Sequence, residues 1–99
     1  MKTVVITGST RGIGYGLAEN FLRLGQRVII SGRSQESVDA AVKKLGLDYP
    51  AESIAGSACD MRDYQQVQDL WNFAVDKYGS VEIWINNAGI GLAQTEFWE

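Results

Sequence analysis

The residues with the clearest chemical potential are three glycines in the segment 7–14, which reads Thr-Gly-Ser-Thr-Arg-Gly-Ile-Gly. The segment follows a β-branched run at 3–6 and precedes a helical pattern, so it lies where free amides at a helix N-terminus accept a phosphate. Glycine also lets a ligand approach the backbone closely. The segment therefore predicts a dinucleotide site. The alternative is a tight strand-to-helix turn that binds nothing.

Other kinds of chemistry are excluded by residue types that the sequence lacks. It contains no histidine and one cysteine, Cys59. Without histidine, no Ser-His-Asp or Cys-His nucleophile arrangement exists, and the residue types offer neither a zinc-ligand cluster nor an internal disulfide. We therefore predict no metal site. A reducing, cytoplasmic setting fits this cysteine usage best.

The composition is that of a globular protein. The 99 residues are 45% hydrophobic and 21% charged with one proline, which is too apolar for a disordered chain. Nine basic and twelve acidic residues give a net charge of -3, so no broad positive field attracts nucleic acid or an anionic membrane. We expect a single domain over residues 1–99, with no nucleic-acid partner and no membrane partner.

The elements that would position the glycine segment alternate between strand and helix patterns. The four predicted strands are residues 3–6, 27–30, 52–60 and 81–85. The third has weak strand preference, because Ile54 is its one strong apolar residue. Helical patterns fill the intervals between the strands. This β-α-β-α-β-α-β order predicts an α/β fold in which helices cover a parallel sheet in three layers.

Three amphipathic patterns predict the helices. Ser34 is a suitable N-cap for the second helix, and Asp63 with Gln66 resembles a capping box for the third. A glycine follows each pattern, as is common where helices end. The predicted buried faces are Ile13, Leu17, Phe21 and Leu24; Val38, Ala41, Val42 and Leu45; and Val67, Leu70, Trp71, Ala74, Val75 and Tyr78.

Two further loops carry residues that match a known family. Asp60-Met61 follows the third predicted strand, and Asn86-Asn87-Ala88-Gly89 follows the fourth. With the segment 7–14, they resemble the TGxxxGxG motif, the acidic residue and the NNAG motif of short-chain dehydrogenases/reductases. The resemblance spans residues 3–89. It implies a Rossmann-like parallel sheet with four strands in the order 3-2-1-4, three helices, and a nicotinamide dinucleotide as ligand.

The turn after the second strand indicates which nicotinamide cofactor is preferred. In dinucleotide folds an acidic residue about 20 positions beyond the glycine loop bonds the 2'-hydroxyl of NAD, whereas an arginine accommodates the 2'-phosphate of NADP. Here the turn reads Ser31-Gly32-Arg33-Ser34 and has no carboxylate. The resemblance makes Arg11 a second phosphate partner. NADP is therefore predicted over NAD, the alternative for either arginine being a solvated surface charge.

The resemblance also assigns cofactor contacts. The backbone from Ser9 to Gly14 would face pyrophosphate and ribose, and Asp60 with the Met61 amide would face the adenine. Asn87, Ala88 and Gly89 would border the ribose. Asn86 has two open roles, cofactor contact or a tie between strands. The predicted cofactor-binding residues are Gly8, Ser9, Arg11, Gly12, Ile13, Gly14, Arg33, Asp60, Met61, Asn87, Ala88 and Gly89.

No catalytic residue is predicted in this sequence. The family's chemistry resembles proton relay by a Tyr-x-x-x-Lys pair, with a serine steadying the substrate while hydride passes to or from the nicotinamide. The residues four places after the four tyrosines are Glu19, Ser53, Gln68 and Glu82. We therefore expect an amino-terminal cofactor-binding half, truncated after the NNAG motif. It would be inactive on a carbonyl or alcohol substrate unless the missing half is supplied.

Two other functions stay open at this point. The chain could be a noncatalytic nucleotide-binding or interaction module, or one half of a complementing assembly. The fourth strand would lie at the sheet edge, where unpaired backbone groups invite another strand, so we expect self-association. Residues 90–99 are interpreted as cover for the exposed sheet, as the start of a substrate loop, or as a disordered tail.

Overall fold

Strands and helices alternate along residues 1–87, the part of the chain that this computed structural model describes. The predicted order of four strands and three helices is confirmed, with one added 3-10 turn at Ala51–Ser53. The elements are β1 Thr3–Ile6, α1 Gly12–Arg23, β2 Arg27–Ile30, α2 Gln35–Leu45, β3 Ile54–Gly56, α3 Tyr64–Tyr78 and β4 Ile83–Ile85. No helix in residues 1–87 has the length and apolar character of a membrane span.

The four strands form one parallel sheet in the order β3-β2-β1-β4, which confirms the predicted Rossmann-like topology. In its register, Val5 of β1 lies between Ile29 of β2 and Trp84 of β4. All four residues of β1 are buried, as expected of a central strand that is covered on both faces. The sheet therefore presents all its carboxyl ends at one edge.

Alternating side chains divide the core into two layers. Val4 and Ile6 point to the layer under α1 and α2, where Val28 and Ile30 join them. Val5 and Ile29 point to the opposite layer, and the helical residues that pack there within residues 1–87 come from α3. The three-layer arrangement predicted from the element order is thus present.

The predicted buried face of α1 is confirmed in part, because Leu17 and Phe21 are partly buried and pack against the core. Ile13 and Leu24 are 78% and 71% exposed, and the buried residues are Gly14, Ala18 and Leu22. Gly14 lies against the loop after β1, where a larger side chain has no space. Hydrophobic spacing does not reveal Gly14, where the helix approaches the loop most closely.

Helix α2 follows its predicted pattern, with Val38, Ala41 and Leu45 buried. Its N-cap is Ser34, whose Oγ accepts a hydrogen bond from the Ser37 amide at 3.3 Å. The predicted cap and the predicted core face of this helix are both confirmed.

Helix α3 is capped by Asp63, whose Oδ1 accepts from the amides of Gln65 at 3.0 Å and Gln66 at 3.4 Å. The cap is confirmed, but the core position predicted for Trp71 is wrong, because its side chain is 41% exposed. Leu70 and Ala74 form the line that faces the sheet. Trp71 is the residue after Leu70, so it lies to one side of this line. It packs beside Trp84, with ring centroids 5.9 Å apart.

Strand β3 is shorter than the predicted run 52–60, covering Ile54–Gly56. The loop that follows still tracks β2, since the Ser57 amide donates to the Ile30 carbonyl and the Cys59 amide to the Gly32 carbonyl. Gly56 is required for packing, because an added Cβ would lie 2.6 Å from Val38 Cγ1. The weak strand preference of this segment therefore reflects a glycine that the close contact with α2 requires.

We predict that Asp63→Ala lowers the free energy of unfolding by about 1 kcal/mol, because two amides in the first turn of α3 lose their acceptor. Urea denaturation followed by circular dichroism measures this change. Asp76→Ala, at an exposed carboxylate of the same helix, is the control and should change stability by less than about 0.5 kcal/mol. Equal effects of the two variants would contradict the capping role of Asp63.

Candidate functional site

The loops after all four strands meet at the carboxyl edge of the sheet and line a groove of about 1140 Å³. Parallel strands bring such loops together, and ligands of open α/β sheets bind at this edge. The first turns of α1 and the exposed side of α2 complete the walls. Of the residues predicted from the sequence, the groove is lined by Gly8, Arg11, Gly12, Arg33, Asp60, Met61 and Asn87.

The glycine loop leaves the N-terminus of α1 open to this groove. Gly8 and Gly12 have φ values of 62° and 65°, a left-handed conformation that glycine adopts without strain. Arg11 occupies the N-cap position of α1, and no side chain caps the helix there. The first amides of α1 are therefore available to an anion, and no acidic residue in the first turn opposes one.

Gly14 explains why α1 starts so close to the sheet. An added Cβ at this position would lie 2.4 Å from the Gly8 carbonyl oxygen and 2.6 Å from Asn87 Nδ2. Both distances are shorter than any ordinary contact, so only glycine fits. This glycine serves the packing of helix against loop, which is the role of the third glycine in dinucleotide-binding folds.

Asn87 joins the end of β4 to the glycine loop. Its backbone amide donates to Thr7 Oγ1 and its Nδ2 donates to the Gly8 carbonyl, each at 2.9 Å. The alternative role considered for Asn86, a tie between neighbouring strands, thus falls to Asn87. The Asn86 side chain instead accepts from Trp84 Nε1 at 2.8 Å.

Ser9 joins the loops after β1 and β2 from below the groove. It is fully buried, its Oγ donates to the Ile6 carbonyl at 2.6 Å, and the same oxygen accepts from the Ser31 amide at 3.0 Å. Its own amide donates to the Ser31 carbonyl at 2.9 Å. These bonds hold the glycine loop in position. Cofactor contacts by Ser9, and by Ile13 in the first turn of α1, stay predictions.

The groove is positively charged although the chain is acidic overall. Within residues 1–87 its lining contains one carboxylate, that of Asp60, and four cationic side chains. The cations are Arg11, Arg33, Lys44 and Arg62. A concave site lined by one sign of charge concentrates its field on a ligand of the opposite sign. The geometry and the charge of the groove both favour an anionic ligand.

Asp60 is held by Arg62 in a two-point ion pair. Arg62 Nε donates to Oδ1 at 3.0 Å and a terminal guanidinium nitrogen donates to Oδ2 at 2.9 Å. These hydrogen bonds lower the pKa of Asp60 to about 2, with a further contribution from the charge of Arg33. The Asp60 amide donates to Gln66 Oε1 at 2.9 Å, which fixes the loop to the start of α3. Asp60 is therefore ionised at neutral pH.

Cys59, between β3 and Asp60, is buried. Burial and the nearby carboxylate of Asp60 raise the pKa of its thiol, so it is a poor nucleophile at neutral pH. Its Sγ lies 3.6 Å from the sulfur of Met61.

No group of three metal-ligating side chains occurs in residues 1–87. Ala88 and Gly89, also predicted to contact the cofactor, lie outside the described residues.

Among the groove residues that were not predicted from the sequence are Gly32, Lys44 and Arg62. Gly32 lets the loop after β2 pass close to the glycine loop, since an added Cβ would lie 2.8 Å from Thr10 Cγ2. Lys44 Nζ lies 5.3 Å from the centre of the Tyr15 ring, and both residues line the groove. The sequence feature that could have identified Lys44 is its helical spacing from Ser37, which lies on the same wall. The signal for Arg62 was the carboxylate two positions earlier.

We predict opposite effects of alanine at two glycines in α1. Gly14→Ala should lower the free energy of unfolding by about 1–3 kcal/mol, because its Cβ meets the Gly8 carbonyl and Asn87. Gly16→Ala is the matched control, since no atom lies within 4 Å of its added Cβ, and it should raise stability by about 0.5–1 kcal/mol. Urea denaturation measures both. A neutral Gly14→Ala would contradict the close approach of helix and loop.

Comparison with known proteins agrees with this geometry. A family model described as short chain dehydrogenase matches residues 2–99. Chlorophyll(ide) b reductase NOL, chloroplastic, from Oryza sativa subsp. japonica is 48% identical over 86 residues, which are 87% of this chain and 25% of that protein. The chain thus spans about a quarter of the length of this relative.

Solved structures with a similar fold have been determined with both nicotinamide cofactors. One is a variant of actinorhodin polyketide ketoreductase with NADPH, which has a TM-score of 0.82 at 31% identity over 90% of this chain and 33% of its own. Another is a short chain dehydrogenase/reductase from Burkholderia phymatum in complex with NAD, with a TM-score of 0.82 at 30% identity over 91% of this chain and 31% of its own. Given its sequence, its parallel sheet and its glycine loop, the chain belongs to the short-chain dehydrogenase family of oxidoreductases.

Proposed function

We propose that this chain is the NADP(H)-binding part of an oxidoreductase that transfers hydride between NADPH and a carbonyl or alcohol group. The observation that carries the proposal is the charge of the groove at the end of β2. Arg33 lines it there, Arg11 lines it from the glycine loop, and residues 31–34 contain no carboxylate. This combination suits a ribose that carries a 2'-phosphate.

The residues present fit the diphosphate of such a cofactor. The uncapped N-terminus of α1 offers amides, and Gly12 provides an approach with no Cβ in the way. The guanidinium of Arg11 stands at the same helix end, where it adds positive charge to that of the helix dipole. These groups would bind and orient the cofactor without contributing to the chemical step.

The adenosine end is proposed to lie between the loops after β2 and β3. Arg33 is exposed, so its planar guanidinium is free to make paired charge-assisted hydrogen bonds to phosphate oxygens. Met61 and Asp60 line the opposite wall and would face the adenine. Because related structures contain either NADPH or NAD, the preference for NADP rests on the arginines of this chain.

The chemical step needs groups that this sequence lacks. When bound, the nicotinamide supplies or accepts hydride at its C4 position. A proton must move with it, and no tyrosine in this sequence has a lysine four residues later. We therefore propose that the proton-transfer residues lie on another stretch of polypeptide. The substrate is proposed at the level of a carbonyl or alcohol, and a cytoplasmic setting stays a prediction.

A second candidate function, association with another chain, is favoured by the outer edge of β4. In the described residues β4 pairs with β1 alone, so its other edge has no strand neighbour. Beside it lies an apolar cleft of about 300 Å³ between α3 and Trp84, with Trp71 and Tyr64 in its wall. An unpaired strand edge next to exposed aromatic side chains is a site for strand addition.

We predict that the purified chain self-associates as its concentration rises, because pairing at β4 buries this edge. Sedimentation velocity at several concentrations measures the association. Trp71→Gln should weaken it, since Trp71 is 41% exposed beside β4, whereas the control Leu47→Gln, at an apolar residue 80% exposed after α2, should not. A monomer at every concentration would contradict the edge as an interaction site.

We predict that Arg33→Asp weakens NADPH binding about ten- to hundredfold, because charge-assisted hydrogen bonds worth about 1.5–3 kcal/mol are lost. NADH, which lacks the 2'-phosphate, should be affected far less. Isothermal titration calorimetry with both cofactors measures the two changes. Arg23→Asp, at an exposed arginine that donates to Asn20 on α1, is the control. An unchanged ratio of the two affinities in Arg33→Asp would remove Arg33 from the site.

A further inference from the structure

The negative charge of Asp60 opposes the binding of a 2'-phosphate. It carries the one carboxylate that lines the groove within residues 1–87, and its low pKa keeps it charged at neutral pH. An unscreened negative charge here would repel a phosphate on the opposite wall. It would also attract a nearby cation that is not otherwise bound.

Arg33 is that cation. It lines the same groove from the loop after β2, and its charge is close enough to lower the pKa of Asp60. Arg33 nevertheless makes no hydrogen bond or ion pair of its own within the described part of the chain. The carboxylate therefore has two guanidinium groups within electrostatic range, and one of them, Arg62, makes all the direct side-chain contacts.

The contact between Arg62 and Asp60 uses both carboxylate oxygens. Nε meets Oδ1 at 3.0 Å, a terminal nitrogen meets Oδ2 at 2.9 Å, and the Arg62 backbone amide also donates to Oδ1 at 3.0 Å. This fork geometry is the strongest arrangement that arginine makes with a carboxylate. It leaves little acceptor capacity on Asp60 that Arg33 could use.

We propose that Arg62 is a specificity-determining residue that acts through Asp60: by occupying both oxygens of that carboxylate, it leaves Arg33 free for the 2'-phosphate of the cofactor. This inference rests on the proposed function. Arg62 is then a positioning residue that keeps the opposite wall of the groove neutral. Without it, Asp60 would pair with Arg33 and would also repel the phosphate, and both effects lower the preference for NADPH over NADH.

The experiment compares NADPH with NADH, which differ only in the 2'-phosphate, so that the ratio of their dissociation constants cancels effects on adenine binding. Arg62→Gln should reduce the preference for NADPH about two- to fivefold, the range expected from an exposed ion pair. The double variant Asp60→Asn with Arg62→Gln should restore the wild-type ratio, because the carboxylate that captures Arg33 is gone. Arg23→Gln is the matched control and should leave the ratio unchanged.

The outcomes separate the possible roles. An unchanged ratio in Arg62→Gln would overturn the inference and leave the proposed function intact. A reduced ratio that the double variant does not restore would also overturn it, since Arg62 would then contact the phosphate directly. A wild-type chain that binds NADPH no more tightly than NADH would overturn the proposed function, and the inference with it. Thermal melting of each variant checks that all of them are folded.

Discussion

The close approach of α1 to the end of β1 is the constraint on which the site depends. It requires Gly14 to lack a side chain, and it brings the Gly8 carbonyl within hydrogen-bond distance of Asn87. Because Asn87 follows β4, the same contact fixes the relative positions of β1, β4 and α1. The uncapped end of the helix then opens onto the carboxyl edge of the sheet, where it is accessible to a ligand.

The distribution of charged side chains in the groove adds to the effect of this geometry. The chain has a net charge of -3, yet four of its cations and one of its carboxylates line the described groove. The distribution of charge therefore matters more than its sum. The ion pair with Arg62 neutralises Asp60, the single carboxylate of the described groove. Arg11 and Arg33 stay exposed on the neighbouring loops and available to phosphate.

Much of the fold could be predicted because the sheet strands are continuous β-branched runs and the caps are local. β1 and β2 have the predicted bounds, and the N-caps Ser34 and Asp63 make the expected hydrogen bonds. The face of α1 was predicted from hydrophobicity in part, since Leu17 and Phe21 pack against the core whereas Ile13 and Leu24 are exposed. Leu22, Ala18 and Gly14 are its buried residues, and at Gly14 it is the lack of a side chain that fits the space.

The site was predictable where a residue's type indicates its role and less so where the role depends on a neighbour. Seven of the predicted residues line the groove, since glycines and charged side chains after parallel strands share one edge. Ser9 instead lies beneath it, and its hydrogen bonds to the loop after β2 follow from a spacing of 22 residues that no local pattern reveals. The role of Arg62 likewise depends on its contact with Asp60.

We propose that amides at the start of α1 hold the cofactor diphosphate. The most direct measurement is an NMR titration of the nitrogen-labelled chain with NADPH, followed through its backbone amide resonances. The largest shifts are predicted in residues 8–14 and at Arg33, with smaller ones at Asp60 and Met61. Saturable binding that leaves the resonances of residues 8–14 unchanged would contradict this account.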